Sequence, residues 1–205
     1  MEYTRIYGTG KHSEEYISFE ADPDILLHDY DQYEKYVKGI EAMVRGDDRY
    51  KHYIGKLRAA GFDRCAILGD VVKKGGDKVK LEMHHGPIFN LFDYADILLK
   101  YHLRKQDLDS ITTFDIADEL LTCHENDWIM LVGLNQTAHK GAHINIFIDI
   151  KSTVGRIDKF IEHYYLGMEE EHFDMIRRYI KEYNKVQGTI DKGLFETSEK
   201  LKNFK

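Results

Sequence analysis

Apolar residues recur every three to four positions over long stretches of the chain, the spacing that places side chains on one face of a helix. The clearest stripe begins at Tyr33 and ends near Gly46, where glycine favours a helix end. Thr113 can cap another helix through its hydroxyl group. The predicted helices cover residues 33–46, about 50–60, 91–103, 113–121, 157–168 and 173–183. Helices therefore dominate the predicted structure.

Other stretches have the pattern of β-strands. Residues 64–72 are apolar and β-branched, and residues 79–83 alternate apolar with polar side chains. Because Gly75 and Gly76 lie between them, the two stretches predict a β-hairpin. Residues 128–134 form the most apolar run of the chain and predict a buried strand. Asn135 or Thr137 can then cap a helix that carries His139 and His143.

The composition describes a folded protein with an acidic surface. Of the 205 residues, 42% are hydrophobic and 32% are charged, which is enough apolar material for a core. The formal net charge of −7 argues against wholesale coating of nucleic acid or of an anionic membrane. Any phosphate-binding site must therefore be local.

Cysteine content and hydropathy bear on the cellular compartment. Two cysteines and no Cys-x-x-Cys pair exclude a disulfide framework and a four-cysteine zinc site. The first residues lack the basic start and apolar run of a signal peptide, and no stretch approaches the roughly 18 apolar residues of a membrane span. We therefore expect a cytoplasmic protein without membrane contact.

Four of the eleven histidines are placed in two close pairs. His84 and His85 end a predicted strand, where neighbouring side chains point to opposite faces. His139 and His143 are four residues apart on a predicted helix, so both lie on one face and can bind one metal ion. Three imidazoles around a divalent ion leave positions open for water or phosphate, which is typical of a catalytic site.

The order of these elements resembles the ββα-metal core, or His-Me finger, of the HNH endonuclease family. The residues that carry the likeness are 81–87, LEMHHGP, and 126–143, NDWIMLVGLNQTAHKGAH, and the arrangement is also similar to HNH-like proteins of tailed phages. The resemblance implies one divalent ion, either Zn, Mg, Mn or Ni, held by His84, His139 and His143. It implies His85 as the general base that activates water. Asn126 is the best match for the asparagine that orients this base, with His124 and Asn135 as weaker matches.

The resemblance also implies a fold and a function. We expect an α+β protein in which a small ββα-metal core is embedded in a mostly helical domain. The core spans residues 63–150 with a helical insertion at about 88–122, between an N-terminal helical region, 1–62, and a C-terminal helical region, 151–205. The expected activity is metal-dependent hydrolysis of DNA phosphodiester bonds, in the host cytoplasm if a phage encodes the chain.

Two alternatives remain open at this point. The first is a non-catalytic phage protein that uses the metal-bound core as a scaffold for binding a host protein or nucleic acid. The second is based on His28-Asp29, which with His12 is similar to the metal-binding pair of HD phosphohydrolases. No later histidine and aspartate follow at convincing helical positions, so the second alternative is the weaker one.

Overall fold

The structure is a computed structural model, and it describes residues 3–7, 15–21, 28–70, 75–76, 79–105, 111–135, 138 and 147–202. Side chains are described from residue 28 to residue 187 within these ranges, except at residue 111. The chain divides into two compact units, Met1–Glu169 and Glu170–Lys205. Each unit is described by itself.

The first unit combines helices with short strands. Its elements are β1 (Tyr3–Tyr7), β2 (Glu15–Ala21), α1 (Tyr30–Gly46), α2 (Asp48–Ala59), β3 (Leu81–His85), α3 (Leu91–Lys105), β4 (Ile111–Thr112), α4 (Thr113–Glu125), β5 (Leu131–Asn135) and α5 (Ile157–Tyr164). Short 3-10 helices cover Ile150–Ser152 and Tyr165–Gly167. The second unit contains the helix α6 (Glu170–Lys202). The predicted α+β class is confirmed, and the six helices predicted between residues 33 and 183 outside the His139–His143 segment each overlap an observed one. The segment with His139 and His143 lies outside the described residues.

A three-stranded antiparallel sheet lies in the N-terminal part, which we had expected to be helical. Strand β2 is central and pairs with β1 on one side and with β4 on the other. The partner β4 lies about ninety residues further along the chain, with Glu20 opposite Thr112. Short strands depend on such distant partners for stability, so the local pattern did not reveal them.

Side-chain caps set the starts of the main helices. Asp29 caps α1 by accepting a hydrogen bond from the Gln32 backbone, so half of the His28-Asp29 pair has a structural role. Helix α4 begins with a capping box in which Thr112 and Asp115 satisfy each other's backbone donors. The expectation that Thr113 provides this cap was wrong by one residue, and Thr113 is buried instead.

The core lies where α1, α3, α4 and α5 meet. Tyr94 on α3 contacts Phe160 on α5 with ring centroids 4.8 Å apart, and its hydroxyl accepts a hydrogen bond of 3.1 Å from the Met130 backbone. Side chains with no more than 1% exposure include Ile40, Phe89, Leu91, Tyr94, Ile97, Leu98, Ile116, Leu120, Ile129 and Phe160. This core supports the segment that enters β5.

Strands β3 and β5 form a separate antiparallel pair, with His84 opposite Val132 and His85 opposite Leu131. The predicted hairpin between residues 64–72 and 79–83 was therefore wrong. Residues 64–70 form turns, and Ala66 donates a backbone hydrogen bond of 2.8 Å to Gly133 on β5. A Cβ atom on Gly133 would lie 2.9 Å from the Arg64 carbonyl oxygen, so glycine permits this close approach.

Candidate functional site

The candidate site lies where strands β3 and β5 are followed in the sequence by the helical residue Ala138. Asn135, the last residue of β5, is buried, and its Oδ1 accepts a hydrogen bond of 2.8 Å from the Ala138 backbone. Ala138 is helical. Of the two predicted caps, Asn135 is the one that the structure shows. The resemblance places a helix after β5, and Ala138 is the one described residue in its predicted range.

The two histidines of β3 face opposite sides of the strand pair. His84 is partly buried and lies opposite Val132, so the two side chains share one face. Val132 packs in a cluster with Ala138. His84 is therefore on the side of β3 and β5 to which the helical residue packs. His139 and His143 lie outside the described residues, so their role as ligands stays a prediction.

His85 is buried on the other face and forms a hydrogen bond with His124. The Nε2 atoms of the two rings are 3.0 Å apart, and the rings meet edge to face with centroids 5.3 Å apart. His124 lies in the last turn of α4, and its Nδ1 is 2.7 Å from the carbonyl oxygen of Leu120. We call these two residues the His85–His124 pair.

Two tyrosines of α2 enclose the pair. The ring of Tyr50 is stacked on His85 with centroids 5.9 Å apart, and it contacts His124 edge to face at 5.2 Å. Tyr53 contacts His124 at 5.9 Å and donates a hydrogen bond of 2.9 Å from its hydroxyl to Asp127 Oδ1. The pair is thus held by side chains from three elements, β3, α2 and α4.

This environment keeps both imidazoles neutral. Burial lowers the pKa of His85 well below 6.5, and the neighbouring His124 and the positive charge of Arg45 lower it further. Burial also lowers the pKa of His124 to about 4, although its hydrogen bond to the Leu120 carbonyl acts in the opposite direction. At neutral pH the His85–His124 pair therefore consists of two uncharged rings.

Asn126, the residue predicted to orient His85, lies at the C-terminal cap of α4. It is exposed, and its backbone nitrogen donates to the Thr122 carbonyl oxygen at 3.0 Å. The side chain that hydrogen-bonds to His85 is His124, which we had considered a weaker match. One sequence signal could have found it, because Ile116, Leu120 and His124 follow one another at intervals of four on one helix face.

Cationic side chains lie near the start of β3 and near Tyr50. Arg58 donates a hydrogen bond of 3.2 Å to the Leu81 carbonyl oxygen. Burial raises the pKa of Tyr50, and the charges of Arg45 and Arg58 oppose this rise, which places both guanidinium groups within electrostatic range of Tyr50. Arg58 therefore supplies positive charge beside β3, whereas Arg45 is paired with Glu41 at 3.4 Å.

A second polar cluster connects α3, α4 and α5, and the sequence did not predict it. Glu119 accepts hydrogen bonds of 2.5 Å from His102 and 2.7 Å from Tyr164, whose hydroxyl in turn accepts from Cys123 at 3.5 Å. Burial raises the pKa of Glu119, but the two hydrogen bonds outweigh this effect and lower it overall. Burial raises the pKa of Cys123 to about 12. The thiol is therefore protonated, and the cluster stabilises the helices.

These features define a class, an α+β protein in which an antiparallel strand pair carries adjacent histidines next to a buried imidazole pair. The chain belongs to the Bacteriophage G278-like virion protein family, whose model matches residues 9–205. It is therefore a phage protein. The family description names the virion and does not mention an enzymatic activity. Among curated proteins and solved structures, none matches the chain significantly. In the described part of the chain, no helix is both long and apolar enough to span a membrane.

Proposed function

We propose that this phage protein is a metal-dependent endonuclease that hydrolyses DNA phosphodiester bonds. One observation carries the proposal. His84 lies opposite Val132, Val132 packs with Ala138, and Ala138 is helical and directly precedes His139 in the sequence. The face of β3 and β5 that carries His84 is thus the face on which this helical residue packs. The ββα-metal core requires this arrangement for a site made of His84, His139 and His143.

The residues fit the chemistry of phosphodiester hydrolysis. The reaction needs a nucleophilic water, a base to take its proton and a cation to neutralise charge in the transition state. Imidazole ligands suit Zn and Ni ions, and a bound divalent ion would supply the electrostatic stabilisation. The lowered pKa of His85 keeps this residue unprotonated at neutral pH, which is the state that a general base needs.

The charge distribution is also compatible with a DNA substrate. The whole chain has a formal net charge of −7, so phosphate must be attracted locally. Arg45 and Arg58 lie within electrostatic range of Tyr50, which stacks on His85. A divalent ion at His84 would provide positive charge beside the reacting phosphate, and Arg58 would add positive charge at the start of β3.

A second candidate is the non-catalytic scaffold, and a specific observation favours it. His85 is 4% exposed and His124 is fully buried, and the two rings satisfy each other by a hydrogen bond. Such a pair can stabilise a fold without acting on a substrate. A virion protein in which the same core binds another phage component, a host protein or nucleic acid would need this stability and no base.

Plasmid cleavage in the presence of Mg, Mn, Zn or Ni ions tests the nuclease proposal. We expect nicking or linearisation by the wild type and by His52→Ala, a control that removes an exposed histidine of α2. We expect loss of cleavage in His84→Ala and in His143→Ala. Wild-type protein that cleaves with none of these ions, or a His84→Ala variant as active as wild type, would rule the proposal out.

Metal analysis of the purified protein separates the two candidates further. A scaffold should retain a stoichiometric metal, and its removal by a chelator should unfold the protein, because the free energy of metal binding is then part of the folding free energy. A catalytic site should exchange its ion and lose only activity. Circular dichroism before and after chelation measures the difference.

A further inference from the structure

We propose that His124 is a positioning residue that holds His85 in one tautomer, with the proton on Nε2 and the lone pair on Nδ1. The catalytic meaning of this assignment rests on the proposed function, in which His85 is the general base. The tautomer itself follows from hydrogen bonds in the structure. It can be tested without DNA.

The backbone carbonyl group of Leu120 determines which nitrogen of His124 carries the proton. A carbonyl oxygen only accepts hydrogen bonds, and it lies 2.7 Å from Nδ1 of His124. Nδ1 of His124 must therefore carry a proton. Because Leu120 is four residues earlier on the same helix, the regular geometry of α4 holds this acceptor in place.

The proton on His124 in turn determines which nitrogen of His85 is protonated. A neutral imidazole protonated on Nδ1 has its lone pair on Nε2, and burial keeps His124 neutral at pH 7 by lowering its pKa to about 4. Nε2 of His85 lies 3.0 Å from that lone pair, so it must donate the proton of this hydrogen bond. The lone pair of a neutral His85 is then on Nδ1.

Packing around the His85–His124 pair keeps the two rings in this orientation. The two rings are almost perpendicular, at 88°, and Tyr50 contacts both of them. His124 is fully buried and also contacts Tyr53. Reversal of the hydrogen bond would leave two lone pairs, on Nδ1 of His124 and the Leu120 oxygen, facing each other in a buried site. The structure therefore supports one direction of proton donation, from His85 through His124 to the helix backbone.

The tautomer decides which atom of His85 can act in the proposed reaction. Nδ1 takes the proton from the attacking water while the water oxygen forms a bond to phosphorus, and the bond from phosphorus to the leaving deoxyribose oxygen breaks. The leaving oxygen takes a proton from solvent, and His85 later returns its own proton to solvent. Throughout, the Nε2 proton stays in the hydrogen bond to His124, which also stabilises the charged ring.

Long-range proton–nitrogen NMR correlation of ¹⁵N-labelled protein at neutral pH tests the assignment directly. The nitrogen chemical shift separates protonated from unprotonated ring nitrogens. We expect His85 to show a protonated Nε2 and an unprotonated Nδ1, and His124 to show the opposite pattern. A wild-type His85 protonated on Nδ1 would overturn the assignment, whether or not the protein cleaves DNA.

Two substitutions of His124 separate positioning from packing. His124→Gln keeps an acceptor for Nε2 of His85, whereas His124→Phe keeps an aromatic ring without one. In His124→Phe we expect a mixture of His85 tautomers and a fall in kcat of roughly 10²- to 10⁴-fold at unchanged KM. In His124→Gln the wild-type tautomer should persist and much of the activity should return.

These measurements test the nuclease activity and the positioning role of His124 separately. An inactive wild type with the expected tautomer would refute the nuclease and support the positioning role of His124. An active wild type whose tautomer and kcat are unchanged in His124→Phe would refute the positioning role and support the nuclease. If His124→Phe does not fold, the wild-type spectrum and the His124→Gln variant decide.

Discussion

Mild acid should destabilise this protein through the buried imidazole of His124. Its pKa is about 4 in the folded protein, against 6.5 for an ordinary histidine, because burial disfavours the charged ring. The groups that face it are His85 from β3 and Tyr50 and Tyr53 from α2. The neighbouring Glu125 stabilises the charged form only weakly, as the smallest contribution to the pKa.

The sign follows from proton linkage. As the pH falls below 6.5, His124 binds a proton in the unfolded chain, while in the folded protein it stays neutral until about pH 4. The unfolded state therefore binds more protons in this window, and the free energy of unfolding falls. The difference between a pKa of about 4 in the folded protein and 6.5 in the unfolded chain corresponds to about 3 kcal/mol, of which about 2 kcal/mol is lost by pH 5.

Urea-induced unfolding at pH 7 and at pH 5, followed by circular dichroism, measures this loss. The wild type should lose about 2 kcal/mol more between these pH values than His124→Gln, in which the titrating group is absent. His52→Gln, which removes an exposed histidine, should behave as the wild type. An equal loss in the wild type and in His124→Gln would refute the assignment of the acid sensitivity to His124.

Three further predictions concern packing and the Glu119 cluster. Gly167→Ala should destabilise the protein by at least about 1 to 3 kcal/mol in urea unfolding, because its Cβ would overlap the backbone of α3. Gly55→Ala on α2 is the matched control, because its Cβ meets nothing within 4 Å. It should increase the free energy of unfolding by up to about 1 kcal/mol. Glu119→Gln should cost about 1 to 2 kcal/mol in the same assay, because two hydrogen bonds lose their charged acceptor, and an unchanged midpoint would contradict the cluster's role. Cys123 should resist iodoacetamide in the folded protein and react after unfolding, because it is buried with a pKa of about 12, and rapid native labelling would contradict this.

The candidate site shows where sequence reasoning reached its limit. The position of His84 and His85 at the end of a strand and the cap at Asn135 were predictable, because both depend on neighbouring residues. The partner of His85 was not, since His124 is 39 positions away on a helix. In a single sequence, a histidine in an apolar helical stripe shows only that it is buried, and not what it contacts.

The same distinction applies to the fold. The helices could be predicted from the sequence because their hydrogen bonds and caps join residues within four positions, and the apolar spacing marks the face that is buried. The strand pairs could not be predicted, because β3 pairs with β5, nearly fifty positions away at the His84–Val132 pair. The choice among possible partners is made by the burial of whole elements. Local periodicity therefore determined which segments are helical. Only the packing of α2 and α4 against β3 decided that His85 would be buried and hydrogen-bonded to His124, because these contacts join elements far apart in the sequence.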